Sequence, residues 1–375
     1  MPELVALDLP GGPAFADALR AAWDKGDAVL PIDRRLPGPA VERLLAAMRP
    51  TVVVDRDGAR RLRSGMPTEP GDALVVATSG TTGEPKGVVL DHPAVRASAL
   101  ATSARLGVDP GSDHWVACLP LAHIGGLSVV TRALITGTPC TLIDGFDAGA
   151  VELLGREGAT LVSLVATALR RTDTSAYRAV LVGGAAPPEA LPGNVVTTYG
   201  MTETGSGIVY DGRPLDGVEL GVGDGTTGSE GEILVRGPML LRSYRDGTDP
   251  LLAGGWLPTG DAGCLQPDGT LTVFGRMAEV IVSGGEKVWP APVERVLGAH
   301  PGVAQVAVWK RADPDWGERV VAWVVPTDPA RPPGLDDLRA LVAAELPRWA
   351  APRELVVTDR LPRTGSGKVR RSALS

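Results

Sequence analysis

The stretch from Leu74 to Gly87, LVVATSGTTGEPKG, sets the tightest condition on the fold, because it joins a strand directly to an anion-binding loop. Its first four residues are apolar, which predicts a buried strand. The loop then interleaves hydroxyl side chains with glycines, so that its backbone N–H groups can face an anion without clashes from Cβ atoms. A lysine adds a charge that suits phosphate. We predict a polyphosphate-binding loop that contains Thr78, Ser79, Gly80, Thr81, Thr82 and Lys86.

This loop differs from a Walker A loop, which places a Gly-Lys-Ser/Thr step at the start of a helix. Here Pro85 precedes Lys86 and Gly87 follows it. The alternative interpretation is a solvent-exposed hairpin tip, since serine, threonine and glycine are common in turns. Motifs elsewhere in the chain are needed to choose between a phosphate-binding loop and a hairpin tip.

Composition limits the class of protein. With 375 residues and 44% hydrophobic content, the chain can build a large core and two domains. A net charge of −7 gives no reason to expect nucleic acid or anionic lipid as a partner. The three cysteines, Cys118, Cys140 and Cys264, form no paired or metal-binding pattern, and neither a signal peptide nor a bilayer-spanning run is evident. We therefore expect a cytoplasmic protein without membrane insertion.

The first part of the chain alternates helices and strands. Helices are predicted over 14–25 and 40–48, and strands over 28–32 and 51–55, which is typical of a parallel sheet covered by helices. After the loop, a strand over 88–90 and a helix over 93–106 follow, with Asp91 as the helix cap. The fold class is α/β.

Three candidate substrate residues lie in apolar surroundings further along. His123 follows the run Trp115 to Ala122, and Ser163 and Thr167 lie in the apolar run Leu161 to Leu169. The alternative for each is an ordinary core side chain with its hydrogen bonds satisfied.

The next segments suit a nucleotide. A buried strand over 179–183 ends in a turn at Gly184 and Ala185, and ligands of parallel sheets bind at the carboxyl ends of strands. In the run Val195 to Thr204, Tyr199 can stack on a purine beside Gly200, Thr202 can donate to phosphate, and Glu203 is an oxygen ligand suited to Mg²⁺. The alternative is a helix N-terminus capped by Thr202.

The C-terminal part holds further signals. Asp261 lies in Thr-Gly-Asp, which read alone is a turn, and Arg276 opens a run that reaches the glycine turn Ser283, Gly284 and Gly285. A helix over 293–299, strands over 303–309, 320–325 and 354–357, and a helix over 335–345 come next. Lys368 follows Gly-Ser-Gly near the chain end, where the alternative is a frayed basic tail.

Taken in order, the segments 74–87, 195–204, 274–290 and 361–371 resemble the core motifs of the acyl-adenylate-forming superfamily, over residues 28–371 or so. The resemblance implies a large N-terminal domain with helix-covered β-sheets over 1–276, shorter at its start than is usual, and a small α+β C-terminal domain over 277–375. Ala278 stands where the family's hinge carries Asp or Lys, and Gly365 where proline is common.

The resemblance also implies an enzyme with ATP, Mg²⁺, CoA and a small carboxylic acid as ligands. The carboxylate first forms acyl-AMP with release of pyrophosphate, and the CoA thiol then takes the acyl group. The implied roles are the loop for the β- and γ-phosphates, Gly184 and Ala185 for adenine, Asp261 and Arg276 for ribose, the 283–285 turn for CoA, and Lys368 for the reacting carboxylate.

Within the superfamily, 199–204 and 209–217 resemble short o-succinylbenzoate–CoA ligases of menaquinone biosynthesis. Such a substrate has a second carboxylate, for which Arg213, His123, Ser163 and Thr167 are candidates. Another small aryl- or acyl-CoA ligase, and a nucleotide-binding protein without catalysis, stay open as alternatives. A homodimer is a further expectation.

Overall fold

The computed structural model describes residues 1–79, 85–185, 190–223, 228–363 and 369–374, and for Ser79 the backbone only. The chain divides into two compact units. Unit 1 comprises Met1–Leu220 and Val235–Leu257, and unit 2 comprises Gly221–Leu234 and Pro258–Ser375. The predicted domain boundary after Arg276 stays a prediction. In the structure, the contacts within the chain group residues 258–276 with the C-terminal residues.

The first elements of unit 1 match the predicted α/β alternation. They are β1 (Leu4–Leu7), α1 (Pro13–Asp24), β2 (Ala28–Pro31), α2 (Gly38–Met48), β3 (Val52–Asp55), β4 (Gly58–Arg61), β5 (Asp72–Ser79) and β6 (Pro85–Asp91). Strand β1 was not predicted; it has four residues and pairs in parallel with both β2 and β3. All four residues of β1 are buried, so a short apolar run is enough to form this strand.

A second set of elements follows in unit 1. They are α3 (His92–Leu106), β7 (Trp115–Ala117), α4 (Ile124–Thr136), β8 (Cys140–Leu142), α5 (Ala148–Arg156), β9 (Leu161–Val165), α6 (Ala166–Leu169), β10 (Ala179–Gly183), β11 (Val195–Met201), β12 (Ser206–Tyr210) and β13 (Arg213–Pro214). The predicted cap of α3 is confirmed, because Asp91 accepts a hydrogen bond from Ala94 N at 2.8 Å.

The next strands are β14 (Glu219–Val222), β15 (Glu230–Arg236), β16 (Ser243–Tyr244), β17 (Leu257–Leu265) and β18 (Leu271–Arg276). Strand β16 returns to unit 1 and completes a seven-stranded sheet with the order β16-β6-β5-β2-β1-β3-β4. The second seven-stranded sheet has the order β13-β12-β11-β10-β9-β7-β8. Each sheet packs apolar residues from its strands against neighbouring helices, so each has its own core.

The remaining elements of unit 2 confirm the predicted α+β pattern. They are β19 (Ile281–Ser283), β20 (Glu286–Val288), α7 (Pro290–Gly298), β21 (Val303–Asp313), β22 (Gly317–Pro326), α8 (Leu335–Glu345) and β23 (Glu354–Val357). Their sheet has the order β20-β19-β22-β21, with β23 paired to β22. Both helices contribute to one apolar core with these strands. Among the described residues, every helix is too short or too polar to cross a membrane.

Candidate functional site

The second sheet gathers several predicted residues at one edge. Strands β7, β9, β10 and β11 run parallel, so their carboxyl ends meet at the same edge. Tyr199 lies near the end of β11, Gly184 and Ala185 follow β10, and His123 follows β7. The sheet thus brings the residues proposed for adenine to the edge that also carries His123.

Two glycines at this edge are required by the protein's own strands. A Cβ on Gly200 would run into the carbonyl oxygen of Ser206 on β12, and a Cβ on Gly183 would run into Thr198 Oγ1 on β11. The sequence predicts Gly200 beside a purine, and that role stays a prediction. The structure gives this glycine a further reason, the β-bulge between Tyr199 and Gly200.

The helix-cap alternative for Thr202 and Glu203 is wrong. Thr202–Thr204 is a single 3₁₀ turn, after which the chain reverses into β12. The residue that braces this turn is Thr204, whose hydroxyl accepts from Met201 N at 2.9 Å and lies 2.7 Å from Ser206 O. Glu203 is therefore held on a tight turn at the end of β11, and an α-helix dipole does not account for its presence.

A tyrosine that sequence reasoning missed links Glu203 to the predicted phosphate loop. Tyr244 donates its phenolic hydrogen to Glu203 Oε1 at 3.0 Å, and Lys86 Nζ lies 5.2 Å from the centroid of the same ring. Burial, together with the charge of Glu203, raises the pKa of Tyr244. A cavity of about 60 Å³ lies beside Lys86 and Tyr244 and is also lined by Gly87 and Arg245. Nothing in the sequence around Tyr244 marks it, because it lies on a two-residue strand.

The loop itself begins on paired strands. Thr78 lies opposite Lys86 in the antiparallel ladder of β5 and β6, and its hydroxyl is 3.4 Å from Lys86 O. The predicted residues Gly80, Thr81 and Thr82 lie outside the described residues, as does Lys368, and the side chain of Ser79 is not described. Their roles stay predictions.

His123 is not a packed core residue, since its side chain is 51% exposed. Its Nε2 lies 2.9 Å from Nη2 of Arg35, which also binds both carboxylate oxygens of Asp33 at 2.8 and 2.7 Å. Because a guanidinium can only donate, Nε2 accepts and the imidazole carries its proton on Nδ1. The Arg35 guanidinium lowers the pKa of Asp33. Asp33 and Arg35 directly follow β2, a parallel strand, which is the signal that could have revealed them.

The other candidates for a second carboxylate are scattered. Ser163 is buried on β9 and Thr167 is exposed on α6. Arg213 is exposed on β13, four strands away from β9, which corresponds to about 19 Å. The structure does not bring Arg213 together with Ser163.

A buried arginine in α4 is a cation that the sequence interpretation overlooked. Arg132 is 2% exposed, and its guanidinium lies 4.9 Å from the ring centre of Trp115. Within the part of the chain that the structure describes, Arg132 Nε and Nη1 and Trp115 Nε1 are buried without a hydrogen-bond partner. Burial lowers the pKa of Arg132. Three buried donors in one place call for an acceptor, because each unpaired group costs free energy.

Unit 2 places its two proposed ribose residues side by side. Asp261 on β17 lies opposite Arg276 at the end of β18, and Arg276 Nε is 3.0 Å from Asp261 Oδ1. Arg276 also donates to Thr259 O at 3.1 Å. Arg276 thereby orients the carboxylate of Asp261, and both residues were predicted to bind the same ribose.

The predicted CoA turn is the hairpin between β19 and β20. Gly284 and Gly285 have φ angles of 61° and 87°, which favour glycine. Gly284 N donates to Trp316 O at 2.9 Å, and a Cβ on Gly284 would run into the Trp316 ring. The hydroxyl of Ser283 is buried, with no partner among the described residues. A larger residue at 284 would therefore disturb Trp316 as well as any ligand.

The donor set at Glu203 fits a magnesium ion. Among the described residues there is no group of three or more His, Cys, Asp or Glu side chains that could hold a metal. Mg²⁺ commonly uses one or two carboxylates and takes its other ligands from substrate phosphates and water. Glu203 beside a predicted phosphate loop is consistent with that arrangement.

Comparisons with known proteins agree with this geometry. Residues 63–245 match the model of the AMP-binding enzyme family, and residues 292–368 match that of the AMP-binding enzyme C-terminal domain. The chain belongs to the AMP-binding enzyme family. A probable 2-succinylbenzoate–CoA ligase of Mycobacterium tuberculosis is 43% identical over 366 residues, which is 90% of this chain and 93% of that protein. The family predicted from the four motifs is thus confirmed.

Solved structures extend the likeness to the whole fold. The o-succinylbenzoate CoA synthetase MenE of Bacillus subtilis, in complex with the acyl-adenylate intermediate OSB-AMP, has a TM-score of 0.86 at 28% identity, covering 100% of this chain and 88% of that one. The same enzyme with ATP and magnesium has a TM-score of 0.85 at 28% identity, with 99% and 89% covered. The predicted fold class, with a large N-terminal and a small C-terminal domain, is confirmed.

Proposed function

We propose that the protein is an ATP-dependent 2-succinylbenzoate–CoA ligase that forms 2-succinylbenzoyl-CoA for menaquinone biosynthesis. The observation that carries the proposal is the 43% identity to a probable ligase of this kind over 90% of the chain. The likeness to MenE, solved with its acyl-adenylate, supports the same reaction. A cytoplasmic location and a homodimer are further parts of the proposal.

In the first half-reaction, a carboxylate oxygen of the acid attacks the α-phosphorus of ATP and pyrophosphate leaves. In the second, the CoA thiolate attacks the acyl carbon of the mixed anhydride and AMP leaves. The protein needs no nucleophile of its own, so catalysis consists of positioning and charge stabilisation. A bound Mg²⁺ would neutralise phosphate charge.

We assign the nucleotide to the residues described above. Lys86, with the loop that begins at Thr78, would hold the β- and γ-phosphates, and Thr202 would donate to the α-phosphate. Tyr199 and Gly200, with Gly184 and Ala185, would contact adenine, while the Asp261–Arg276 pair would bind both ribose hydroxyls. Glu203 would ligate Mg²⁺. Ser283 to Gly285 would contact CoA, and Lys368 would bridge the carboxylate and the α-phosphate.

For the second carboxylate of the substrate we propose Arg132 in place of Arg213. A carboxylate beside Arg132 would supply the acceptors that its Nε and Nη1 lack among the described residues. Arg132 lies in α4, nine residues after His123, the residue that precedes this helix, which is about 13 Å along the axis. His123 would then contact the substrate nearer the reacting end.

A panel of carboxylic acids, assayed for AMP formation with and without CoA, tests this function. We expect the highest kcat/KM with 2-succinylbenzoate, and thioester only when CoA is present. A higher kcat/KM for benzoate or a medium-chain fatty acid would make the protein a different acyl-CoA ligase. Absence of pyrophosphate release with every acid would leave a nucleotide-binding protein without catalysis.

A further inference from the structure

We propose that Tyr244 is a positioning residue for two groups of unit 1, because it orients the carboxylate of Glu203 toward the metal and restrains the ammonium of Lys86. The inference rests on the proposed function, because it takes Glu203 as a Mg²⁺ ligand. It assigns a role to a residue that no motif in the sequence indicated.

The backbone around Tyr244 is fixed to both partners. Leu241 N donates to Glu203 O at 2.8 Å, and Arg245 N donates to Gly87 O at 2.7 Å. Between them, Tyr244 pairs with Val88 in the antiparallel ladder of β16 and β6. The five-residue segment 241–245 therefore ties the turn that carries Glu203 to the strand that carries Lys86.

The side chain of Tyr244 then reaches both functional groups with different atoms. Its hydroxyl donates to Glu203 Oε1 at 3.0 Å, which fixes the rotation of the carboxylate and leaves lone pairs for a cation. Hydrogen bonds of this kind to metal ligands set their orientation and their basicity. Tyr244 is half-buried, so the phenol holds this geometry better than a water molecule could.

The ring supplies the second contact. Lys86 is exposed, yet its ammonium lies 5.2 Å from the Tyr244 ring centroid, within the range of a cation–π interaction. An exposed lysine samples many rotamers, and the ring restricts them to the neighbourhood of Glu203. A phosphate that binds there finds its cation already in place, which lowers the entropic cost of binding.

Two substitutions separate these contacts. Tyr244→Phe keeps the ring and removes the hydroxyl, whereas Tyr244→Leu removes both. ATP binding is measured by isothermal titration with Mg²⁺ and again with EDTA, so that the ratio of the two affinities reports the metal. Tyr177→Phe is the matched control, because Tyr177 donates its hydroxyl to Val151 O at 2.6 Å in the interior of the same unit.

For Tyr244→Phe we expect the gain in ATP affinity from Mg²⁺ to fall about 10- to 100-fold, the usual effect of removing a partner of a metal ligand. Its affinity for metal-free ATP should stay at the wild-type value. Tyr244→Leu should show the same loss and, in addition, bind metal-free ATP about 2- to 5-fold more weakly, which is the size of an exposed cation–π contact. Tyr177→Phe should change neither affinity.

A double-mutant cycle removes the effect of altered folding. In a Glu203→Gln background, Tyr244→Phe should cause little further loss of the Mg²⁺ gain, since its partner has already changed. An unchanged Mg²⁺ gain in Tyr244→Phe, or additive losses in the cycle, would overturn the inference. Failure of the proposed function looks different: the wild-type protein would then release no pyrophosphate with any acid, or bind ATP equally well with and without Mg²⁺.

Discussion

Two arginines of unit 1, Arg35 and Arg132, differ in how many hydrogen-bond and ion-pair partners their guanidinium groups find within the protein. Arg35 is 59% exposed and binds both oxygens of Asp33 while donating to His123. Arg132 is 2% exposed, and two of its nitrogens have no partner in the described part of the chain. The first guanidinium is already neutralised by Asp33, whereas the second lies over the Trp115 ring and has two donors without a partner among the described residues.

A positioning cation and a binding cation can be told apart by how many of their donors the protein itself satisfies. A paired arginine gains little from a second carboxylate, so its value lies in the group that it orients, here His123. An unpaired buried arginine costs stability, and a bound anion can offset that cost. Exposure alone would suggest that Arg35 binds the substrate, because Arg35 is exposed and Arg132 is buried.

The largest expected effect is on substrate selectivity in Arg132→Met. Removing one partner of a buried charge pair costs about 2–5 kcal/mol, so kcat/KM for 2-succinylbenzoate should fall about 30- to 5,000-fold. An analogue without the carboxylate that is not activated should lose much less. The assay is pyrophosphate release with both acids, and Arg20→Met, at an exposed position of α1, is the control. Equal losses for the two acids would show that Arg132 does not bind the second carboxylate.

The same substitution should raise stability. Burial lowers the pKa of Arg132, so at neutral pH the folded state bears the cost of a charged group without a full set of partners. Replacing such buried charges by apolar residues is neutral or stabilising by about 1–4 kcal/mol, which predicts a rise in Tm of about 2–8 °C. Leu127→Ala, which leaves a cavity in the same helix, should lower Tm instead. A fall in Tm for Arg132→Met would mean that the protein satisfies this arginine after all.

Much of this architecture could be predicted from the sequence. Strands such as Ala179–Gly183 and helices such as Leu335–Glu345 follow from local apolar patterns, and four short motifs indicated the family. Asp261 and Arg276 were predicted separately and lie side by side. The local order of residue types was enough to predict these elements and residues, because each short motif contains the side chains whose role was predicted.

The supporting residues could not be predicted, since their partners are distant in the sequence. Tyr244 contacts Glu203 across 41 positions, and Arg35 contacts His123 across 88. Arg132 interrupts an apolar helix and gives no pattern of its own. Gly200 was predicted to lie beside a purine, whereas the clash that a Cβ there would make with Ser206 on the adjacent strand could not be predicted. Such requirements exist only once the sheets are assembled.

A smaller effect is expected from Arg35→Met. Loss of its hydrogen bond should free the His123 ring to exchange its proton between the two nitrogens. A hydrogen bond involving a charged group is worth about 1.5–3 kcal/mol, so KM for the acid should rise about 10- to 100-fold with a smaller change in kcat. The tautomer can be read from ¹⁵N NMR, since the chain has only four histidines.

Arg34→Met is the matched control for this experiment, because Arg34 lies 3.3 Å from Asp8 and belongs to the same exposed segment. It should leave the His123 spectrum unchanged. An unaltered tautomer in Arg35→Met, together with an altered KM, would assign Arg35 to the substrate itself and so remove the distinction from Arg132.

The smallest effect concerns the pH dependence of the Asp33–Arg35 pair. Arg35 lowers the pKa of Asp33 in the folded protein, so the pair stabilises the fold above the unfolded-state pKa of aspartate, about 3.9, and that stability is lost as the pH falls through the lower folded value. Because Arg35 is largely exposed, we expect only about 0–1 kcal/mol. Wild-type and Asp33→Asn proteins should differ slightly in Tm at pH 7, and the difference should shrink as the pH falls below about 3.9, with Asp17→Asn as the exposed control. A difference in Tm that does not shrink at acid pH would show that Asp33 acts through packing. If Asp33→Asn also changes the His123 tautomer, then the carboxylate, the guanidinium and the imidazole act as one unit, and a buried, unpaired cation remains the better candidate for the substrate's second charge.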